Sequence, residues 1–127
     1  MHKLLNPPTA PAPFSRYSQG VEVEPGKRWL SIAGQVGVDA AGRLADTIEG
    51  QHEQCWANVL AVLTAAGMGP HDLVKVTIFV TTPDQTAISR QVRDRMLQGA
   101  TPTSTLLVVA GLATPDLKVE IEAWAAA

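Results

Sequence analysis

The sequence predicts an α+β fold in which two helices pack on one face of a mixed β-sheet. Segments 21–24, 73–80 and 117–124 alternate apolar and polar residues as strands do, and two other segments place apolar residues at helical spacing. The 127 residues fit a single domain, and no internal repeat or linker divides them. We therefore expect one domain over 1–127, with its elements in the order ββ-α-β-α-ββ.

The first part of the chain is predicted to form an extended arm followed by a β-hairpin. Residues 1–15 contain four prolines, each of which restricts φ and removes a backbone donor. Apolar and polar residues alternate over 21–24, as in a strand. Pro25-Gly26 is a turn dipeptide, and 29–33 is predicted as the next strand. These features predict that 21–24 and 29–33 pair with each other.

Two helices are predicted in the middle of the chain. Asp46 is a suitable N-cap with Glu49 three residues later, and Gly67 provides the C-terminal stop. The first helix carries one apolar stripe, made of Cys55, Val59, Val62 and Ala66. The second helix is expected from about 84 to 98, with inner positions Ala87, Ile88, Val92 and Met96. Its charged residues are expected to form a solvated face, namely Arg90, Arg93, Asp94 and Arg95.

The remaining strands leave one face of the sheet without a cover. The sequence predicts strands over 73–80, 104–110 and 117–124, and two helices can cover only one side of the sheet they form. The other side would present Phe79, Trp124 and half of the apolar 104–110 strand to water. Only 17% of the residues are charged, which also indicates a partly covered surface. We expect a homo-oligomer that buries this face.

Composition excludes several classes of protein. Ten Lys and Arg against twelve Asp and Glu leave no basic excess, so a nucleic-acid partner is not expected. The lone Cys55 cannot form an intramolecular disulfide, and His2, His52 and His71 lack metal-ligand spacing, so no metal site is expected. The N-terminal prolines interrupt any secretory apolar run, and no segment approaches the ~18 apolar residues of a membrane span. A cytoplasmic location without a membrane partner is expected.

Without a metal or a His-centred triad, chemistry must come from carboxylates, hydroxyls and backbone amides. Glu120 and Glu122 project from the same face of the last strand, about 7 Å apart. One interpretation is a polar strand face turned to solvent. The other is that one of these carboxylates, in a cleft between subunits, holds a water molecule or acts as an acid or base.

The chain resembles the RidA family, also called YjgF or endoribonuclease L-PSP, over nearly its whole length. The matching stretches are 17–21 (YSQGV), 31–35 (SIAGQ), 51–58, 62–67 (VLTAAG), 75–80 (KVTIFV), Pro102 and 119–123 (VEIEA). The resemblance implies a chorismate-mutase-like fold and a homotrimer with small-molecule clefts between subunits. It also implies cofactor-free hydrolysis of reactive enamines and imines, such as 2-aminoacrylate, to 2-oxo acids and ammonia.

The resemblance assigns the site residues position by position. The Glu that orders the attacking water corresponds to Glu120, and the pocket Tyr and Gly correspond to Tyr17 and Gly34. The Arg that clamps the substrate carboxylate in the Pro-Ala-Arg-Ser pattern is absent, because Ser104 stands in its place. A short hydroxyl cannot form the bidentate, charge-assisted pair that an Arg forms, which argues against the standard 2-aminoacrylate activity.

Arg90, Ser104 and Thr105 are candidates for binding the ligand. Arg90 corresponds to a family position near the cleft that often holds Asn, so it is either a substitute anion ligand or an ordinary surface Arg. Ser104 and Thr105 together could bind a neutral polar ligand. The alternatives are thus a divergent imine hydrolase that uses Glu120 and a non-catalytic trimer that binds or senses a metabolite. The net charge of −2 argues against the ribonuclease activity in the family's older name.

Overall fold

The computed structural model describes residues 1–127 and shows an α+β architecture, as the sequence predicts. Its elements in chain order are β1 (Lys3–Leu5), β2 (Gly20–Glu22), β3 (Trp29–Val36), α1 (Ile48–Ala65), β4 (Leu73–Val80), α2 (Thr86–Met96), β5 (Thr103–Val108) and β6 (Val119–Ala126). The main sheet has the order β3-β6-β4-β5. Only β4 and β5 run parallel in it, so the sheet is mixed.

The predicted hairpin between 21–24 and 29–33 is wrong. β2 pairs instead with β1 at the start of the arm, in an antiparallel register that places Lys3 opposite Glu22. The arm can supply this strand because its first proline is Pro7, so the backbone N–H groups of β1 remain available. β3 pairs with the last strand, with Trp29 opposite Ala126.

Both helices begin later than the sequence predicts. The N-cap of α1 is Thr47 rather than Asp46, and its Oγ1 accepts a hydrogen bond from the Gly50 N–H at 2.9 Å. Gly67 ends the helix as predicted, in the left-handed region at φ +71°, where a residue without Cβ is favoured. α2 starts at Thr86 because Pro83–Gln85 forms a 3₁₀ turn first.

The core lies between the helices and one face of the main sheet. β4 alternates as predicted from Val76 onward, with Val76, Ile78 and Val80 buried beneath the helices. At its start, an irregularity between Leu73 and Lys75 buries Leu73 in place of Val74. α1 contributes Cys55 and Val59 from the predicted stripe, and both are fully buried. No helix is long and apolar enough to cross a membrane.

The other face of the main sheet, here called the open face, has no cover within one chain. It carries the side chains that alternate with the core, namely Lys75, Thr77, Phe79, Glu120, Glu122 and Trp124. Trp124 is 47% exposed, and Leu107 of β5, which lies opposite Phe79, is 45% exposed. Large apolar side chains on an uncovered sheet face are typical of an interaction surface.

Candidate functional site

Glu120 lies on the open face directly over Gly34 of β3. The register between β3 and β6 shifts between Ile32 and Gln35, and this irregularity brings Gly34 against the Glu120 side chain. A Cβ at position 34 would lie 2.8 Å from the Glu120 Cδ, closer than side chains approach each other. The missing side chain of Gly34 is therefore what makes room for the carboxylate, and these two predicted site residues are in contact.

The two carboxylates of β6 have different surroundings. Glu120 is half-buried between Val36 of β3 and Phe79 of β4, its cross-strand neighbours, whereas Glu122 is exposed. Glu120 forms no salt bridge within the chain. An ionised carboxylate that lies over bare backbone with no cationic partner can accept a hydrogen bond from water. Glu122 likewise forms no salt bridge, so what distinguishes Glu120 is its half-buried position over Gly34.

Three predicted site residues meet in a second place, here called the arm pocket. It is a cavity of about 220 Å³ between the N-terminal arm, α2 and the first half of β5. Its lining consists of Phe14, Ser15, Tyr17, Thr86, Arg90, Arg93, Ser104 and Leu106. The cavity therefore brings together Tyr17, Arg90 and Ser104, although 87 positions separate the first of them from the last.

Arg93 is the functional candidate that the sequence reasoning missed. The prediction of a solvated helix face is wrong for this residue, which is only 4% exposed. Its Nη2 donates to Ser15 Oγ at 2.9 Å and its Nη1 to Ser104 Oγ at 3.4 Å. Helical spacing places Arg93 on the inner face of α2, because it follows Ser89 by four residues and lies beside Val92 on the same stripe.

A salt bridge with Asp94 holds the Arg93 guanidinium in place. Nε and Nη2 of Arg93 both donate to Asp94 Oδ1, at 3.1 and 3.0 Å. Arg90, one turn earlier on α2, is exposed and forms no salt bridge. The two arginines of the pocket therefore differ, since one is neutralised and buried whereas the other is free.

Ser104 and Thr105 project to opposite sides of the sheet, as adjacent residues of a strand do. Ser104 pairs with the core residue Val76 and faces α2. Thr105 pairs with Thr77 on the open face, where its hydroxyl accepts a hydrogen bond from Lys75 Nζ. Burial lowers the pKa of this lysine.

The candidate residues thus form two groups on opposite faces of one chain. Gly34, Thr105 and Glu120 lie on the open face, and the arm pocket holds Tyr17, Arg90 and Ser104. A single chain does not bring Glu120 and Ser104 together. A cleft that contained both groups would have to form between two chains.

Cys55 lies behind Glu120 on the core side of β6. Its thiol donates to the Val119 carbonyl at 3.6 Å. Burial, together with the negative charge of Glu120, raises its pKa to about 12. The sulfur is therefore protonated at neutral pH and cannot act as a nucleophile, because that role requires the thiolate.

No group of three or more His, Cys, Asp or Glu side chains lies close enough together to hold a metal ion. The buried His52 donates its Nε2–H to Gln85 Oε1 at 2.9 Å, between α1 and the turn before α2. Burial lowers the pKa of His52, although its hydrogen bond to Gln85 opposes this. This ring is neutral at physiological pH and belongs to the core.

Comparison with known proteins identifies the family. Residues 7–127 match the family described as Endoribonuclease L-PSP. The chain is 34% identical over 129 positions to the 2-iminobutanoate/2-iminopropanoate deaminase of Salmonella typhimurium, covering 98% of both chains. It superposes on YyfB from Yersinia pestis, of the Rid protein family, with a TM-score of 0.85 at 33% identity, covering 98% of this chain and 97% of that one. For E. coli TdcF with bound serine the TM-score is 0.72 at 31% identity, covering 97% of each chain. The chain therefore belongs to the RidA/YjgF family.

Proposed function

We propose that this protein is a divergent, cofactor-free imine or enamine deaminase that works as a homotrimer with a chorismate-mutase-like architecture. Each reaction would hydrolyse a C=N bond in a cleft between neighbouring subunits. The observation that carries the proposal is the Glu120 carboxylate, held half-buried over Gly34 with no cationic partner.

Glu120 supplies the base that the reaction needs. Water bound to the carboxylate attacks the imine carbon, so a C–O bond forms while the C=N electron pair moves to nitrogen and a proton passes to Glu120. Glu120 returns this proton to the nitrogen, which gives the neutral carbinolamine. The carbinolamine then collapses: Glu120 passes the hydroxyl proton to the nitrogen, the C–N bond breaks, the C=O bond forms and ammonia leaves. The products are a 2-oxo compound and ammonia, and no electron carrier takes part.

The relatives support this reaction type. The Salmonella typhimurium relative carries the name 2-iminobutanoate/2-iminopropanoate deaminase, and TdcF was crystallised with serine. This chain departs from the family pattern at Ser104, so its substrate differs in how its anionic end is bound.

Assembly would complete the site. The open face and the arm pocket lie on different sides of the same chain, so an interface between unlike surfaces joins the pocket of one copy to the open face of the next. Three such contacts close a ring. They also cover the exposed Trp124 and Leu107, whose apolar area favours burial.

A second function is favoured by one observation, the absence of the clamping Arg at Ser104. A trimer with this hydroxyl could bind a metabolite without turning it over. Ligands would then raise the melting temperature of the trimer while no ammonia appeared.

The test compares two neighbouring carboxylates. Glu120→Gln should lower ammonia release from a panel of freshly generated imines by about 100-fold or more, the usual contribution of a general base. Glu122→Gln is the matched control, because this exposed residue lies two positions further along the same strand, and it should keep wild-type turnover. Equal, background-level release by the wild type and Glu120→Gln across the panel would refute the deaminase and leave the binding trimer.

A further inference from the structure

The arm pocket carries one uncompensated positive charge. Arg90 and Arg93 are the charged residues that line it, and no carboxylate does. Asp94, directly beside Arg93, neutralises that guanidinium at 3.0 Å. Arg90 is left without a counter-charge, so the pocket as a whole presents about one unit of positive charge to a ligand.

The hydroxyl groups around Arg90 are arranged as donors. Ser15 and Ser104 accept hydrogen bonds from Arg93, and Tyr17 accepts one from the Phe14 N–H at 3.3 Å. A hydroxyl that accepts through its oxygen keeps its own hydrogen available for another acceptor. Three O–H groups and one guanidinium are therefore free to donate within the same cavity.

From this arrangement, we propose that the arm pocket binds the carboxylate of the substrate, with Arg90 as its charged ligand. Ser104, Ser15 and Tyr17 add hydrogen bonds, and Arg93 is a positioning residue that orients the two serines. The guanidinium missing from β5 is thus replaced by one from α2. This inference rests on the proposed function, because it identifies the anionic end of that substrate as a carboxylate.

Charge balance favours a carboxylate over a phosphate. A carboxylate carries one negative charge, which matches the one free positive charge in the pocket, whereas a phosphate monoester carries about −1.5 to −2 at pH 7. A planar carboxylate also suits the fork of donors that a guanidinium presents. The pocket should therefore prefer 2-oxo monocarboxylates to phosphorylated compounds.

The experiment measures binding separately from catalysis. Pyruvate and inorganic phosphate are titrated calorimetrically into the full-length wild type and into variants. Arg90→Gln should weaken pyruvate binding about tenfold to a hundredfold, the range for a charge-assisted hydrogen bond. It should fold normally because Arg90 is exposed. Arg95→Gln is the matched control: it removes one charge from the same helix, but its partners are Glu49 and Glu53, outside the pocket, and pyruvate binding should not change.

Arg93 is tested by whether its effect overlaps that of Ser104. Arg93→Lys keeps the charge but offers one nitrogen in place of the three that contact Asp94, Ser15 and Ser104. If Arg93 acts by orienting Ser104, then Ser104→Ala weakens pyruvate binding in the wild type but adds nothing in Arg93→Lys. Simple loss of packing would instead make the two effects add.

Each outcome decides one question. Unchanged pyruvate affinity in Arg90→Gln, no pyruvate binding by the wild type, or tighter binding of phosphate than of pyruvate would overturn the inference. Loss of turnover in Glu120→Gln with pyruvate binding retained would support the pocket and the deaminase together. If ammonia release stays at background in both the wild type and Glu120→Gln while pyruvate binding still requires Arg90, the deaminase fails and the carboxylate pocket stands.

Discussion

Replacement of Gly34 by alanine should remove most of the catalytic activity while leaving the fold intact. The new Cβ would lie 2.8 Å from the Glu120 Cδ and 3.1 Å from its Cγ. Because carbon atoms pack best at about 3.5–4.0 Å, the carboxyl group must retreat by about 1 Å. A displacement of that size can lower a rate by about 100-fold, so we expect about that loss of imine hydrolysis.

The cost in stability should be small. The backbone of Gly34 is not in the left-handed region, so alanine causes no strain there. The group that must move is the end of a flexible side chain, and an altered rotamer costs about 0.5–1.5 kcal/mol. The free energy of unfolding should therefore fall by no more than about 1.5 kcal/mol.

The assay combines ammonia release from imines with urea unfolding and a measurement of molecular mass by light scattering. Gly111→Ala is the matched control, because a Cβ there meets nothing within 4 Å and the backbone is not left-handed. Wild-type turnover by a folded Gly34→Ala protein of native mass would refute the reasoning, since it would show that the position of the Glu120 carboxylate does not govern the rate.

Three further predictions concern stability and assembly. Gly37→Ala should lower the free energy of unfolding by about 1–3 kcal/mol in urea, because its Cβ would lie 2.7 Å from the Gln51 Cα, which is backbone and cannot swing aside. His52 has a pKa below its unfolded value of 6.5 because burial disfavours its charged form. The unfolded chain therefore takes up this proton first, and stability should fall as the pH drops below about 6.5, by at most about 1.4 kcal/mol per pH unit. Substitution of His52 by Gln should reduce that slope in unfolding curves measured from pH 7.5 to 5.5. Trp124→Glu should convert the assembly to monomers in light scattering, because it places a charge on the open face.

Each of these predictions has an outcome that would contradict it. A Gly37→Ala protein as stable as the wild type would mean that α1 can shift away from β3 at little cost. An unchanged pH slope without His52 would assign the acid sensitivity to other groups. Native mass for Trp124→Glu would mean that the open face is not the interface between subunits.

Helices and strands could be predicted from the sequence because each has a fixed repeat, which sets the positions at which apolar residues occur along the chain. The alternation in β4 gave its limits, 73–80, without error, and Gly67 marked the end of α1 because left-handed backbone favours glycine.

Strand partners and side-chain environments depended on residues far apart in the chain. Apolar and polar residues alternate in β2, and this pattern is compatible with pairing to any neighbouring strand. Only the tertiary structure shows that β2 pairs with β1 instead of β3. The placement of Ser104 toward α2 and Thr105 toward the open face follows from the register with β4, and a shift of one residue would exchange them.

By itself, the sequence determined the fold class and most of the elements, since these depend on short-range patterns, and only the resemblance to the RidA family distinguished Glu120 from Glu122 as the candidate carboxylate. Only the tertiary structure decided that Arg93 is buried and directed at Ser15, a residue 78 positions away. Charge in a helix normally indicates a solvated face, and although spacing puts Arg93 on the inner stripe with Val92, it does not show that the arm folds over this residue. The physical reason is that burial of a guanidinium depends on partners for its donors, here Asp94 beside it and hydroxyls from distant segments.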